Sequence, residues 1–170
     1  MKAVLETPRL ILRSFTLDDV DAMYQLMTVP DVIRYVGNKP AQSKQDVLDY
    51  LQQHPLRDYQ VYGYGRFACV WKETGQVIGF SGIKFLEEIS ETELGYRFLP
   101  EFWGKGLATE AGTAVIQFAQ GLGLKRLVAV IHPQNEGSQH VALRLGFTLE
   151  SKTKLSLIEE CDLLLFSRAI

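Results

Sequence analysis

The sequence has few cysteines, no excess of basic residues and no long apolar run, and each absence excludes a class of protein. Its two cysteines, Cys69 and Cys161, are too few for a disulfide framework or a cysteine metal site. Eighteen Lys and Arg residues against 20 Asp and Glu give a net charge of −2, which disfavours nucleic acid as the main partner. The longest apolar runs, 127–131 and 163–166, are far shorter than the roughly 20 residues that span a bilayer.

The remaining composition is that of an ordinary globular domain. Hydrophobic residues make up 46% and charged residues 22% of the 170 residues, and that length fits one domain, 1–170. Residues 1–5 lead into no signal-peptide core, so we expect a cytoplasmic protein with no membrane partner and no bound metal. Both cysteines lie in apolar stretches and are interpreted as small buried hydrophobes, because no histidine can be assigned to either as a base.

Hydrophobic periodicity predicts helices near the N-terminus and strands after residue 66. Thr16 with Asp19, Ser43 with Asp46, and Asn135 are predicted helix N-caps, and Gly146 is predicted to end the last helix. The pairs Gly37-Asn38 and His54-Pro55 are expected to end helices. The predicted strands are 7–13, 67–72, 76–85, 91–98, 126–132, 147–154 and 161–168, and the predicted helices are 17–28, 30–35, 43–53, 109–120 and one from 135.

The segment 91–132 carries the clearest chemical signal, because it reads strand, glycine-bearing loop, helix, strand. Such a loop presents backbone N–H groups at a helix N-terminus, which is an anion site. Gly104 and Gly106 lack the Cβ atoms that would keep a pyrophosphate away, and Ala108 keeps the approach close. The loop fits neither the phosphate-loop pattern nor the dinucleotide fingerprint. Taken alone, it is equally compatible with a tight turn that binds nothing.

The order of these pieces resembles the GNAT N-acetyltransferase superfamily, in the branch that includes the ribosomal-protein N-terminal acetyltransferases. The matching stretches are 7–13, 77–83, 93–111, Asn135-x-x-Ser138 and 145–147. The resemblance implies an α/β (α+β) GNAT-like single domain. Its central twisted mixed sheet would have about six to seven strands, with helices on both faces and a splayed parallel pair, 91–98 and 126–132.

The resemblance also implies acetyl-CoA as cosubstrate, bound where the parallel strands splay. Main-chain N–H groups of the loop would hold its pyrophosphate, and Trp103 in place of the family's Gln or Arg should weaken binding little. Arg97 and Phe98 would run beside the pantetheine arm, and Asn135 would add a hydrogen bond to it besides capping its helix. The loop residues concerned are Gly104, Lys105, Gly106, Leu107, Ala108 and Thr109.

The predicted catalytic residues are Glu93 and Ser138. Glu93 would take the proton of an ammonium acceptor, directly or through water; its alternatives are a solvated strand edge or a pair with Arg97. Many relatives use a tyrosine to protonate the thiolate, but that position is Ala142, which leaves Ser138 as acid or as a hydrogen-bond donor to the sulfur. His132 is interpreted as a loop histidine rather than a base.

We therefore expect transfer of acetyl from acetyl-CoA to a primary amine, either a protein N-terminal α-amine or a small molecule, in a possible homodimer. Four acidic residues near the expected acceptor end could attract a cation: Asp31, Glu159, Glu160 and Asp162. Two alternatives remain open, a GNAT-fold acyl-CoA sensor without turnover and a nucleotide-binding regulator that uses the same loop.

Overall fold

One mixed sheet of eight strands runs through the computed structural model, which describes residues 4–37 and 39–170. The strands lie in the order β1-β2-β3-β4-β5-β6-β8-β7, and every neighbouring pair is antiparallel except β5 and β6, which are parallel. This confirms the predicted mixed sheet and parallel pair, with one strand more than expected. The strands are β1 Val4–Glu6, β2 Leu10–Ser14, β3 Arg66–Trp71, β4 Val77–Leu86, β5 Glu91–Phe98, β6 Arg126–Ile131, β7 Thr148–Leu155 and β8 Ile158–Ala169.

The additional strand arises because the predicted strand 7–13 is wrong at its start. Thr7 N donates to Leu10 O at 2.9 Å, and Leu10 N donates to Thr7 Oγ1 at 3.0 Å, so the chain turns there. Pro8 has no N–H for a strand ladder, which favours the turn. Residues before and after it pair as the hairpin β1–β2.

Within the described residues, six α-helices cover the two faces of the sheet. The predicted caps form: Asp19 Oδ2 accepts from Thr16 N at 2.9 Å, and Ser43 Oγ accepts from Asp46 N at 3.2 Å. Of the predicted stop Gly37-Asn38, Gly37 has a positive φ of 74°, and Asn38 lies outside the described residues. The helices are α1 Val20–Thr28, α2 Pro30–Ile33, α3 Lys44–Leu51, α4 Arg57–Tyr62, α5 Leu107–Gly121 and α6 Glu136–Arg144.

The expectation that His54-Pro55 ends a helix is wrong. Residues Gln52–Leu56 form a π-helical turn that contains Pro55 and leads directly into α4, which ends at Gly63 with a φ of 75°. Proline has no N–H for the hydrogen bond that an α-helix makes to the carbonyl four residues back. The bonds of a π turn reach five residues back instead, so the turn accommodates Pro55 without that α-helical bond. The continued helix brings His54 and Asp58 against the sheet.

Two hydrophobic clusters fill the space between helices and sheet. One joins α5 and α6 to the sheet through residues such as Ala111, Val115 and Phe147, and the other joins α1 and α3 to its opposite face through Met23, Val47 and others. The strand β6 is buried on both faces, as predicted for a central strand. In the described part of the chain, no helix is both long and apolar enough to cross a membrane.

Candidate active site

A cleft opens where the parallel strands β5 and β6 diverge. From Glu91 to Phe98, β5 pairs with β4, whereas its described pairing with β6 is the bridge of Glu93 with Val128. Arg126 holds the two strands together before that bridge, because its Nε donates to Glu91 Oε1 at 3.1 Å. Beyond Glu93, the backbone groups of β5 that do not pair with β4, and those of β6 that do not pair with β8, face the cleft instead of each other.

The first of two cavities in this cleft has a volume of about 770 Å³ and follows the glycine-bearing loop; we call it the loop cavity. Gly104 and Gly106 have φ values of 73° and 78°, a left-handed conformation that favours glycine. The helix α5 begins directly after Gly106, so its first N–H groups have no partner within the helix. The buried Oγ1 of Thr109 also has no hydrogen-bond partner among the described residues. This loop therefore fits an anionic group such as a pyrophosphate.

The turn at Thr7-Pro8-Arg9 fixes this loop from outside. Arg9 Nη2 donates to Lys105 O at 2.7 Å, and Arg9 Nε donates to Glu110 Oε1 at 3.0 Å. Thr7 Oγ1 donates to Glu110 Oε2 at 2.7 Å. Burial alone would raise the pKa of Glu110, but the hydrogen bonds from Thr7 and Arg9 lower it below its usual range. Although Arg9 belongs to a stretch that resembles the family, sequence reasoning assigned it no role.

The end of β5 distinguishes Arg97 from Phe98, which were both predicted to run beside the pantetheine arm. Leu99 N donates to Ile78 O on β4 at 2.9 Å, so the main-chain groups of Phe98, one residue earlier, point to the cleft. Phe98 O accepts from Trp103 Nε1 at 2.7 Å, which attaches the strand to the loop. The N–H of Arg97 faces β4, and its side chain is buried on the other face of the sheet.

Three polar side chains meet at the middle of the cleft. Asn135 caps α6, as predicted, by accepting from Ser138 N at 3.2 Å. Ser138 Oγ lies 3.1 Å from the hydroxyl of Tyr96, and burial raises the pKa of that tyrosine. Ala142, one turn further along α6, is buried in the core. Sequence reasoning missed Tyr96. Because Tyr96 and Phe98 are two residues apart on β5, strand alternation places their side chains on the same face, and this could have indicated Tyr96 as a site residue.

The second cavity has a volume of about 280 Å³ and lies on the other face of the splay; we call it the arginine cavity. It is lined by Arg66 from β3, Lys84 from β4, and Glu93 and Arg97 from β5. It also reaches Tyr96, Asn135 and Ser138, so the two cavities share these residues. Leu157 and Ile158, at the β7–β8 turn, line its other side.

Glu93 is buried in the arginine cavity, at 9% exposure, and both alternatives to its catalytic role are wrong. It does not lie at a solvated edge, and its salt bridge is with Arg66 rather than Arg97: Arg66 Nη2 donates to Glu93 Oε1 at 2.7 Å. Gly95 makes room for this pair, because a Cβ there would lie 2.6 Å from Arg66 Nη2. Burial raises the pKa of Glu93, although Arg66 and the Val130 N–H act in the opposite direction.

A second ionic group lies beside the arginine cavity. Lys84 Nζ donates to Asp58 Oδ2 at 2.9 Å, and the buried Asp58 comes from the helix that follows the π turn. Lys84 Nζ is also 3.5 Å from His54 Nδ1. Burial and, next in size, the charge of Lys84 lower the pKa of His54 to about 4. The imidazole is therefore neutral at physiological pH.

The four acidic residues considered as attractants for a cationic acceptor do not line the arginine cavity. Asp31 borders the loop cavity and pairs with Arg34, while Asp162 pairs with Lys154 at 3.5 Å. Glu159 and Glu160 are exposed on β8. Their positions in sequence near the closing turn did not determine which way they point.

Only one of the two cysteines is the buried hydrophobe that was predicted for both. Cys69 is fully buried, and burial raises the pKa of its thiol. Cys161 is half-buried with its Sγ 3.5 Å from His132 Nε2, a contact that the sequence did not predict. His132 Nδ1 accepts from Gln134 N at 3.1 Å, so in the neutral ring the nitrogen facing the thiol carries the proton. That nitrogen cannot act as a base toward Cys161.

Comparison with known proteins identifies the class that this fold and cleft define. The family model described as acetyltransferase (GNAT) domain matches residues 9–148. The chain belongs to this family, and with its N-acetyltransferase relatives and GNAT fold it is an acetyl-CoA-dependent N-acetyltransferase.

Individual relatives support the assignment. The chain is 32% identical to the uncharacterized N-acetyltransferase YoaA of Bacillus subtilis, over 88% of this chain and 85% of YoaA. It is 31% identical to the ribosomal-protein-serine acetyltransferase of Escherichia coli, over 66% of this chain and 63% of that protein. The crystal structure of an acetyltransferase from Agrobacterium tumefaciens, 31% identical, superposes with a TM-score of 0.84 over 99% of this chain and 95% of that one.

Proposed function

We propose that this enzyme transfers the acetyl group from acetyl-CoA directly to a primary amine within a ternary complex. The observation that carries the proposal is that Tyr96, Asn135 and Ser138 line both cavities. A thioester held in the loop cavity can therefore meet an amine held in the arginine cavity. Direct attack needs no covalent enzyme intermediate.

The loop cavity supports this arrangement with main-chain groups. The N–H groups from Gly104 to Thr109, including those of Lys105, Leu107 and Ala108, would hold the pyrophosphate at the start of α5. Asn135 would bind the pantetheine arm with its amide, while its Oδ1 caps α6. The Phe98 N–H, which points into the cleft, would stabilise the developing oxyanion. The N–H of Arg97 would not bond acetyl-CoA, because it faces β4.

The proposed reaction breaks the C–S bond as the C–N bond forms. Glu93 takes the proton lost by the ammonium acceptor, directly or through water, and its raised pKa makes it a stronger base than an ordinary carboxylate. Ser138 donates a proton to the departing thiolate and regains one from Tyr96, which stands 3.1 Å away. The acceptor nitrogen loses its second proton to water as the C–N bond forms, and Tyr96 regains a proton from water, so that amide and free thiol leave a neutral Tyr96. The Tyr96 hydroxyl is protonated at neutral pH and thus available as a donor. A tyrosine hydroxyl beside Ser138 also argues against a sensor without turnover, because it offers a proton donor although position 142, a tyrosine in many relatives, is alanine here.

The acceptor class is either a protein N-terminal α-amine or a small-molecule amine. The test is release of free CoA thiol from acetyl-CoA by the purified chain, measured with N-terminal peptides and small amines. We expect steady release with at least one acceptor. Tight acetyl-CoA binding without release for any amine would contradict the proposal and favour the sensor. Cytoplasmic location and a homodimer stay predictions.

A further inference from the structure

The arginine cavity carries more positive than negative charge. Among the described residues that line it, Arg66, Lys84 and Arg97 are cationic and Glu93 is the one acidic side chain. Asp58, just behind Lys84, supplies a second negative charge through its 2.9 Å salt bridge. One positive charge remains in excess, within a site where Glu93 and Arg97 are each more than nine-tenths buried.

Two guanidinium groups are held against one aromatic ring. The Cζ atoms of Arg66 and Arg97 lie 5.3 and 5.4 Å from the ring centroid of Phe80. Cation–π packing of this kind restrains both side chains before any ligand binds. Arg66 gives one nitrogen, Nη2, to Glu93, and its buried Nε has no hydrogen-bond partner in residues 4–37 and 39–170. Guanidinium forks match the geometry of carboxylate and phosphate oxygens.

Neighbouring groups respond to the same positive field. Burial is the largest cause of the lowered pKa of His54, and the charges of Lys84 and Arg66 lower it further. Burial also lowers the pKa of Arg97, and Arg66 acts in the same direction. A buried cavity lined by more cations than anions favours an anionic ligand. The Nε of Arg66, which has no hydrogen-bond partner among the described residues, is a donor for such a ligand.

We infer that the acceptor carries an anionic group, carboxylate or phosphate, in addition to its amine. The anion binds between Arg66 and Arg97 over Phe80, and the amine points to Tyr96 and Ser138. This deepens the proposed function and rests on it. It excludes polyamines as preferred acceptors, because an additional cation would meet like charge in the cavity.

The experiment compares acceptors that differ only in the anion. The pairs are 4-aminobutyrate with 4-aminobutyramide, phosphoethanolamine with ethanolamine, and the C-terminally amidated dipeptide Ser-Asp with its amidated counterpart Ser-Asn; spermidine is added as a polyamine. Calorimetry with the CoA-loaded chain measures binding, and thiol release measures turnover. In at least one pair we expect the anionic member to bind about ten-fold more tightly. A preference confined to carboxylates or to phosphoethanolamine identifies the anion.

Charge variants connect that preference to the cavity. Arg97→Gln should reduce the ratio of anionic to neutral binding toward one, and Arg97→Lys, which keeps the charge, should restore part of it. Lys152→Gln removes an exposed cation on β7 and should leave the ratio unchanged.

Two different results separate the proposals. Equal or weaker binding of every anionic member, or preferred binding of spermidine, overturns the inference while leaving acetyl transfer intact. Tighter binding of anionic members with no thiol release from any acceptor supports the inference and contradicts the proposed function.

Discussion

The two cavities of the cleft are built in different ways. In the proposed function, the loop cavity takes most of its binding groups from the main chain of one continuous segment, 97–109. The arginine cavity takes its charged side chains from β3, β4 and β5, with Asp58 behind them from α4. A main-chain site needs the correct backbone conformation, whereas a side-chain site needs distant residues brought together with balanced charges. We therefore expect changes in the arginine cavity to leave the loop cavity intact.

The largest expected effect is at the junction that the two cavities share. Ser138→Ala and Tyr96→Phe should each lower kcat by about ten- to a hundred-fold, because each removes a donor needed by the departing thiolate. The double variant should resemble the single ones, since both hydroxyls act in one relay. Thiol release gives kcat, and calorimetry gives the acetyl-CoA Kd, which should change little.

Tyr64→Phe is a matched control for Tyr96→Phe. The Tyr64 hydroxyl bonds Thr92 Oγ1 at 3.1 Å, in a half-buried position that lines neither cavity, so kcat should stay at the wild-type value. Wild-type turnover in Ser138→Ala would instead make solvent the proton source.

A backbone change should disable the loop cavity alone. Gly106→Val forces a branched residue to a φ of 78°, at a strain of about 1–3 kcal/mol, and we expect acetyl-CoA to bind about ten-fold more weakly. Gly75→Val imposes the same strain at a φ of 74° in the β3–β4 turn, with no effect on affinity. Calorimetry on both folded variants measures the difference. Unchanged affinity in Gly106→Val would exclude the loop as the pyrophosphate site.

Removing the charge of Glu93 in the arginine cavity should change how the reaction rate depends on pH. Burial raises the pKa of Glu93, so the basic form is lost as pH falls through that raised value, and wild-type kcat/KM should decline on the acid side. Glu93→Gln should lower the rate several-fold at pH 7, and less at pH 9.5, where an α-amine with a pKa near 8 is already neutral.

Glu91→Gln, two residues earlier on β5, is the matched control and should keep the wild-type pH profile. The measurement is kcat/KM from pH 5 to 9.5, together with the acetyl-CoA Kd. If the Glu93→Gln profile overlays that of wild type, Glu93 only holds Arg66 and the Val130 amide in the splay.

The smallest expected effect concerns the support of the loop from outside. Arg9→Ala removes the 2.7 Å bond to Lys105 O and the contacts to Glu110, and it should weaken acetyl-CoA binding about three-fold. Arg13→Ala removes the salt bridge to Asp19, away from both cavities, and should leave affinity unchanged. Equal affinities in both variants would show that the loop keeps its conformation without Arg9.

The sequence by itself determined the parts of this protein that depend on neighbouring residues. The strands β3 to β6, the cap at Asn135 and the glycine positions of the loop follow from local alternation, capping chemistry and the conformational freedom of glycine. These rules act over a few neighbouring residues, so they can be applied to a single sequence. The same reasoning anticipated that Gly104 and Gly106 lead into a helix start.

Only the tertiary structure decided which side chains meet in the arginine cavity. Arg66 and Glu93 are 27 residues apart, and they pair because Arg66 aligns with Gly82 on β4 and Gly82 aligns with Gly95 on β5. Such an alignment depends on strand register, and a shift of one residue would place Glu93 on the other face. The continuation of the helix past Pro55 likewise depended on packing, because local rules predict a break there. Charge balance in the arginine cavity is therefore a property of the fold rather than of any one segment.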